Sequence, residues 1–151
     1  MTATIEVIPL VYPEGTNIVV GQSHFIKTAE DIAEIMAGTV PGAKYGLAFS
    51  EASPPCLVRT EGNDPALVAA AAACAQAVGA GHSFYLVLKD CFPINVLNQL
   101  KSCPEVTRIF CATANPLQAV VARTAQGGGI LGVIDGQRPK GVETDADRAD
   151  R

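Results

Sequence analysis

The stretch "DPALVAAAAACAQAVGAGHSFYLVLKD", Asp64 to Asp90, decides the fold class. It opens with a capping aspartate and then a proline, the residue favoured at the first helical position. From Ala66 to Val78 no side chain carries a charge. A helix that is apolar all round is expected to be buried all round, here between a sheet and another layer or another subunit. Gly79 and Gly81 end it. His82 to Leu88 then reads as a strand, and its run "FYLVL" is apolar on both faces, as in a central strand. A buried helix feeding a central strand calls for a layered α/β or α+β sandwich.

Working outward, the same alternation of strand and helix signals continues. Thr4 to Tyr12 reads as an edge or first strand interrupted by Pro9, and Asn17 to Ile26 as a strand containing Gly21. Thr28 with Asp31 resembles a capping box for a helix that Gly38 ends. Lys44 to Ser50 and Cys56 to Thr60 follow as strands, then a short helix from Ile94 to Lys101 and a strand from Val106 to Ala112. Gln118 to Thr124 and Gly129 to Ile134 are joined by a glycine-rich hairpin turn. The expected fold is one domain over residues 1–136, a mixed sheet of about seven or eight strands layered with three helices. The polar segment 137–151, ending in "ETDADRADR", is expected to fray.

Composition narrows the function. Apolar residues make up 48% of the 151 residues and charged residues 17%, with a net charge of −4 and no basic cluster. Nucleic acid and membrane surfaces are therefore not expected partners. A small chain with so much apolar surface is expected to hide part of it against copies of itself. The five cysteines have no CxxC spacing and read as buried free thiols in a reducing compartment. No signal peptide or spanning segment is visible, so the expected location is the cytoplasm.

The polar residues that break the apolar pattern are the site candidates. The chain has two histidines, His24 in "GQSHFIK" and His82 in "GAGHSF". Gln22, Ser23, His24 and Lys27 crowd one short stretch, and polar groups there need partners, among themselves or on a ligand. Glu51, Thr113, Asn115 and Asp135 each stand just past the end of a strand, where turn formers and caps are also common. The glycines Gly127, Gly128 and Gly129 resemble a phosphate cradle in composition, although they run into a strand rather than a helix and no lysine follows them.

The segments "GQSHFIKTAEDI", "GLAFSEAS", "EGNDPAL", "GAGHSFYLVL", "FPINVLNQLKSCPEVTRIFCATANP" and "GGGILGVIDGQRPKGVE" together resemble the adenosine-specific kinase family of archaeal and bacterial proteins. The likeness runs in order from about Asn17 to Glu143. One departure is that the family usually continues past "PKGVE" into a charged C-terminal helix. The resemblance implies a compact α/β protein that binds adenosine or AMP and assembles as a homotrimer or homohexamer. It also implies phosphoryl transfer to the 5′-hydroxyl of adenosine; the alternative is a non-catalytic adenylate-binding or sensor module. On this reading His24, Glu51 and Asp135 are the catalytic candidates. Glu51 and Asp135 would hold Mg2+ arriving with a nucleotide phosphoryl donor. Lys27 and Lys140 suit phosphate, and Asn95 and Asn115 suit adenine. Gln22, His82 and Thr113 complete the pocket, and Gly127 to Gly129 would offer backbone N–H groups.

Overall fold

The computed structural model describes residues 1–151. The strands are β1 (Thr4–Leu10), β2 (Asn17–Ser23), β3 (Lys44–Ser50), β4 (Val58–Gly62), β5 (Ser83–Lys89), β6 (Val106–Thr113), β7 (Leu117–Arg123) and β8 (Gly128–Asp135). The helices are α1 (Thr28–Thr39), α2 (Pro65–Val78), α3 (Leu97–Ser102) and α4 (Asp145–Asp150). Eight strands layered with helices agree with the expected α/β class. The single mixed sheet does not. The strands form a five-stranded sheet in the order β4-β3-β5-β2-β6 and a three-stranded sheet in the order β1-β7-β8. Every pairing is antiparallel. The pairing that sets the small sheet apart, β1 with β7, joins strands far apart in the chain, so local patterns do not reveal this division.

Strand β5 sits at the centre of the larger sheet, and its residues Ser83 to Leu88 are all buried. One face of that sheet packs on α1 and α3, through Leu47, Phe49, Phe84, Leu86, Ile32, Met36 and Leu100. The other face carries α2 and the small sheet, through Ala48, Tyr85, Val87, Leu67, Ala71, Ala75, Ala119 and Val121. Helix α2 begins as expected: the Asp64 carboxylate accepts from the N–H groups of Ala66 and Leu67, and Gly79 closes the helix in the left-handed conformation. It is not buried all round. Leu67, Ala71, Cys74, Ala75 and Val78 face the core, whereas Ala66, Ala69, Ala73, Gln76 and Ala77 are exposed.

Four local expectations are corrected. Strand β2 stops at Ser23 rather than Ile26, because Thr28 Oγ1 and N–H both return to the Phe25 carbonyl and turn the chain into α1. That contact also occupies the Thr28 hydroxyl, and α1 has no side-chain cap. The expected helix from Ile94 divides into a 3-10 turn over Pro93–Asn95 and α3. The C-terminal segment holds a helix rather than fraying. Thr144 and Asp147 cap α4 reciprocally, and Glu143 pairs with Arg148 and Arg151. No helix is long and apolar enough to cross a membrane.

Candidate ligand cleft

Antiparallel pairing places the start of β5 beside the ends of β2 and β3. The Ser23 N–H donates to the His82 carbonyl, and the His82 N–H donates to the Ser50 carbonyl. The two histidine segments are thus neighbours, but their side chains have different surroundings. His82 has φ 62° and its ring stacks on Phe49 at 5.7 Å. His24 lies on the exposed turn after β2, stacked on Phe25. The buried hydroxyls of Ser23 and Ser50, on either side of His82, have no hydrogen-bond partner in the protein.

At this end of the sheet lies a cleft of about 570 Å³. Glu51, Ala52 and Cys56 from the β3–β4 connection form one wall, and Gly127, Gly128 and Gly129 from the β7–β8 hairpin form the facing wall. Gly79 and Gly81 lie between them. The Glu51 carboxylate accepts from the Leu57 N–H at 3.0 Å and from Arg59 Nη2 at 3.0 Å. These bonds, the backbone one first, hold its pKa below the usual carboxylate value. Below the hairpin, the Arg123 guanidinium donates to the Gly79 and Val78 carbonyls and to Glu6. This satisfies carbonyls that α2 leaves open and ties the helix end to the small sheet.

A smaller chamber of about 250 Å³ adjoins the cleft, sharing Gly81, Gly128 and Gly129 with it. Gln22, Ala80, Ser83, Phe110 and Ile130 complete its lining. Of the expected site residues, the structure therefore brings Glu51, Gln22 and the three hairpin glycines to one place, with His82 close behind.

The others lie elsewhere in the chain. Thr113, Asn115 and Asp135 form their own network: Thr113 Oγ1 donates to Asp135 Oδ1 at 2.7 Å and Asn115 Nδ2 donates to the same oxygen at 3.2 Å. Asp135 ends β8, six residues on from Gly129 and so about 20 Å away at roughly 3.4 Å per residue. Glu51 and Asp135 therefore cannot share a metal ion within one chain. Asn95 accepts from the Phe92 N–H and shapes the 3-10 turn. Lys140 is exposed in the segment after β8. Lys27 pairs with Asp31 at 2.8 Å and Glu105 at 3.8 Å.

All five cysteines are free thiols, as expected. Burial pushes Cys74 and Cys111 up to about 11, which keeps them protonated. Cys56 departs from the expectation: it is exposed and lines the cleft.

The Lys27 cluster has a pH consequence. The Glu105 carboxyl is held at about 2, first by the neighbouring Asp31 side chain and then by the hydrogen bond it accepts from Cys103. A depressed pKa stabilises the fold above the unfolded carboxyl range and loses that contribution as pH falls toward the folded value. Wild-type melting temperature is expected to fall between about pH 4.5 and pH 2. In Glu105→Gln this part of the decline is expected to flatten. Thermal melts of both proteins across that range check it, and parallel curves would contradict the assignment.

The fold is a three-layered antiparallel α/β arrangement with a cleft at one end of its five-stranded sheet. The chain belongs to the adenosine specific kinase family, whose model matches residues 8–151. The match runs through the C-terminal helix. The chain is also similar to the PH1918 protein from Pyrococcus horikoshii OT3, known from a crystal structure. The two are 43% identical, with a TM-score of 0.94 over 99% of this chain and 92% of that one. No curated protein matches the chain.

Proposed function

We propose that the chain binds adenosine or AMP in the cleft between Glu51 and the Gly127–Gly129 hairpin, and that it transfers a phosphoryl group to the 5′-hydroxyl of adenosine. The observation that carries this reading is a carboxylate facing a glycine hairpin across a cleft large enough for a nucleoside. Family membership supplies the substrate class. In the reaction the 5′-oxygen forms the new bond to phosphorus, the bond from phosphorus to the diphosphate oxygen of the donor breaks to release the nucleoside diphosphate, and the hydroxyl proton passes to solvent water. Glu51 is already bound to Arg59 and held at a low pKa, so it would accept and orient the hydroxyl hydrogen rather than store its proton. The residues do not form a metal cage. Glu51 is the one carboxylate lining the cleft, and Arg59 and Leu57 already contact it. No step is assigned to a magnesium ion.

The engagement of Glu51 favours a second reading, a binding or sensor module without chemistry. Incubation with adenosine, ATP and magnesium separates the two. AMP and ADP formed in equal amounts, and lost in Glu51→Gln, support transfer. Tight AMP binding with no product supports the module.

Self-association into a homotrimer or homohexamer belongs to the same reading. The outer face of the small sheet exposes Ile5, Val7, Leu131 and Ile134, and α2 exposes its outer alanines. Such a face is usually covered. Light scattering at micromolar concentration is expected to give the mass of three or six chains; the mass of one chain would refute it.

A further inference from the structure

We propose that the chamber lined by Gln22, Phe110 and Ile130 is the nucleobase subsite of the cleft, with Phe110 as the stacking surface and Gln22 as the group that pairs with the base edge. This rests on the adenylate reading above and adds to it the place and the residues of base recognition.

Strand irregularities build the chamber. Opposite β2, strand β6 pairs Cys111 with Val20 and Ile109 with Gly21, leaving Phe110 as an extra residue. Strand β8 pairs Gly132 with Val120 and Ile130 with Val121, leaving Leu131 extra. A bulge of this kind bends its strand and re-aims side chains, and bulges gather beside binding sites. Here the first lets Phe110 line the chamber instead of following the alternation of β6, and the second leaves Ile130 lining it while Leu131 is exposed. The Arg108 guanidinium lies over the Phe110 ring at 5.9 Å, which adds a cation to the aromatic surface.

Gln22 supplies the polar contact. Its backbone carbonyl accepts from Thr107, but its half-buried side-chain amide makes no hydrogen bond within the protein and borders the chamber. By contrast the neighbouring Ser83 hydroxyl is fully used, by the Ala80 carbonyl and Tyr85. An amide carries both a donor and an acceptor, which the edge of a purine matches. The glycines shared by the two chambers leave a low saddle, so one ligand can lie across it with its base beside Phe110 and its 5′ end near Glu51.

The test is calorimetry of AMP, adenosine and ribose 5-phosphate with the parent protein, Gln22→Ala and Phe110→Ala, beside melting curves. Phe110→Leu keeps the packing if the alanine variant unfolds. The parent is expected to bind AMP and adenosine more tightly than ribose 5-phosphate. Loss of the ring is expected to weaken both nucleosidic ligands by roughly tenfold to a hundredfold, and loss of the amide by several-fold. Ribose 5-phosphate binding should be unchanged in both. Variants that bind AMP as the parent does would overturn the subsite while leaving the cleft reading intact. The same holds for a parent that binds AMP no better than ribose 5-phosphate. A parent that binds none of the three would overturn the cleft reading, and this inference with it.

Discussion

Gly46→Ala is expected to destabilise the fold by at least about 3 kcal/mol, the upper end for overpacked cores. Gly46 lies in β3 directly beneath the first turn of α2. A Cβ there would stand 2.1 Å from the Leu67 carbonyl carbon and 2.2 Å from the Val68 nitrogen. Both are backbone atoms, so no rotamer change relieves the contact. The helix would have to lift from the sheet, opening the packing of Leu67, Ala71 and Ala48. Denaturant unfolding measures the loss. A variant within 1 kcal/mol of the parent would show that α2 docks less closely than described.

Gly129→Val is expected to remove AMP binding and leave the melting temperature near that of the parent. A Cβ at Gly129 meets nothing within 4 Å, so the fold has room for it. The same residue lines both the cleft and the chamber, so a branched side chain there fills the saddle between them. Its neighbour is the control. A Cβ on Gly128 would lie 2.5 Å from Arg123 Nη1 and 2.8 Å from the Gly79 carbonyl. Gly128→Ala is therefore expected to lower stability by disturbing the Arg123 ties. Calorimetry and thermal melts on both variants separate the effects. Unchanged AMP affinity in Gly129→Val would place the ligand elsewhere.

How far these features could be read from sequence differs from element to element. The start and end of α2 were legible because Asp64, Pro65 and Gly79 act locally. The central place of β5 was legible because both its faces are apolar. The division into two sheets was not, since β1 pairs with β7 across most of the chain. For α2, alanine reads as apolar whether it faces core or solvent, and this hid the exposed face. His24 was placed on a strand because nothing in "SHFIK" announces that Thr28 turns back to Phe25.

Among the candidate residues, Glu51, which the sequence marks by its strand end, and the hairpin glycines, which it marks by composition, line one cleft. Thr113, Asn115 and Asp135 gave the same signal, yet they bond to one another at the far end of β8. Position past a strand end does not say which end of the sheet a residue occupies; pairing does. Phe110 was missed. The available signal was the run Ile109, Phe110, Cys111, where the alternation of β6 breaks and a bulge results.

The central claim is that one ligand spans the cleft and the chamber, and a crystal structure of the AMP complex tests it most directly. The phosphate is expected between Glu51 and the Gly127–Gly129 hairpin, the ribose over the saddle of Gly81 and Gly129, and the base beside Phe110 within hydrogen-bond reach of Gln22. AMP bound instead beside Thr113, Asn115 and Asp135, or against Lys27 and Glu105, with the cleft holding only solvent, would contradict it.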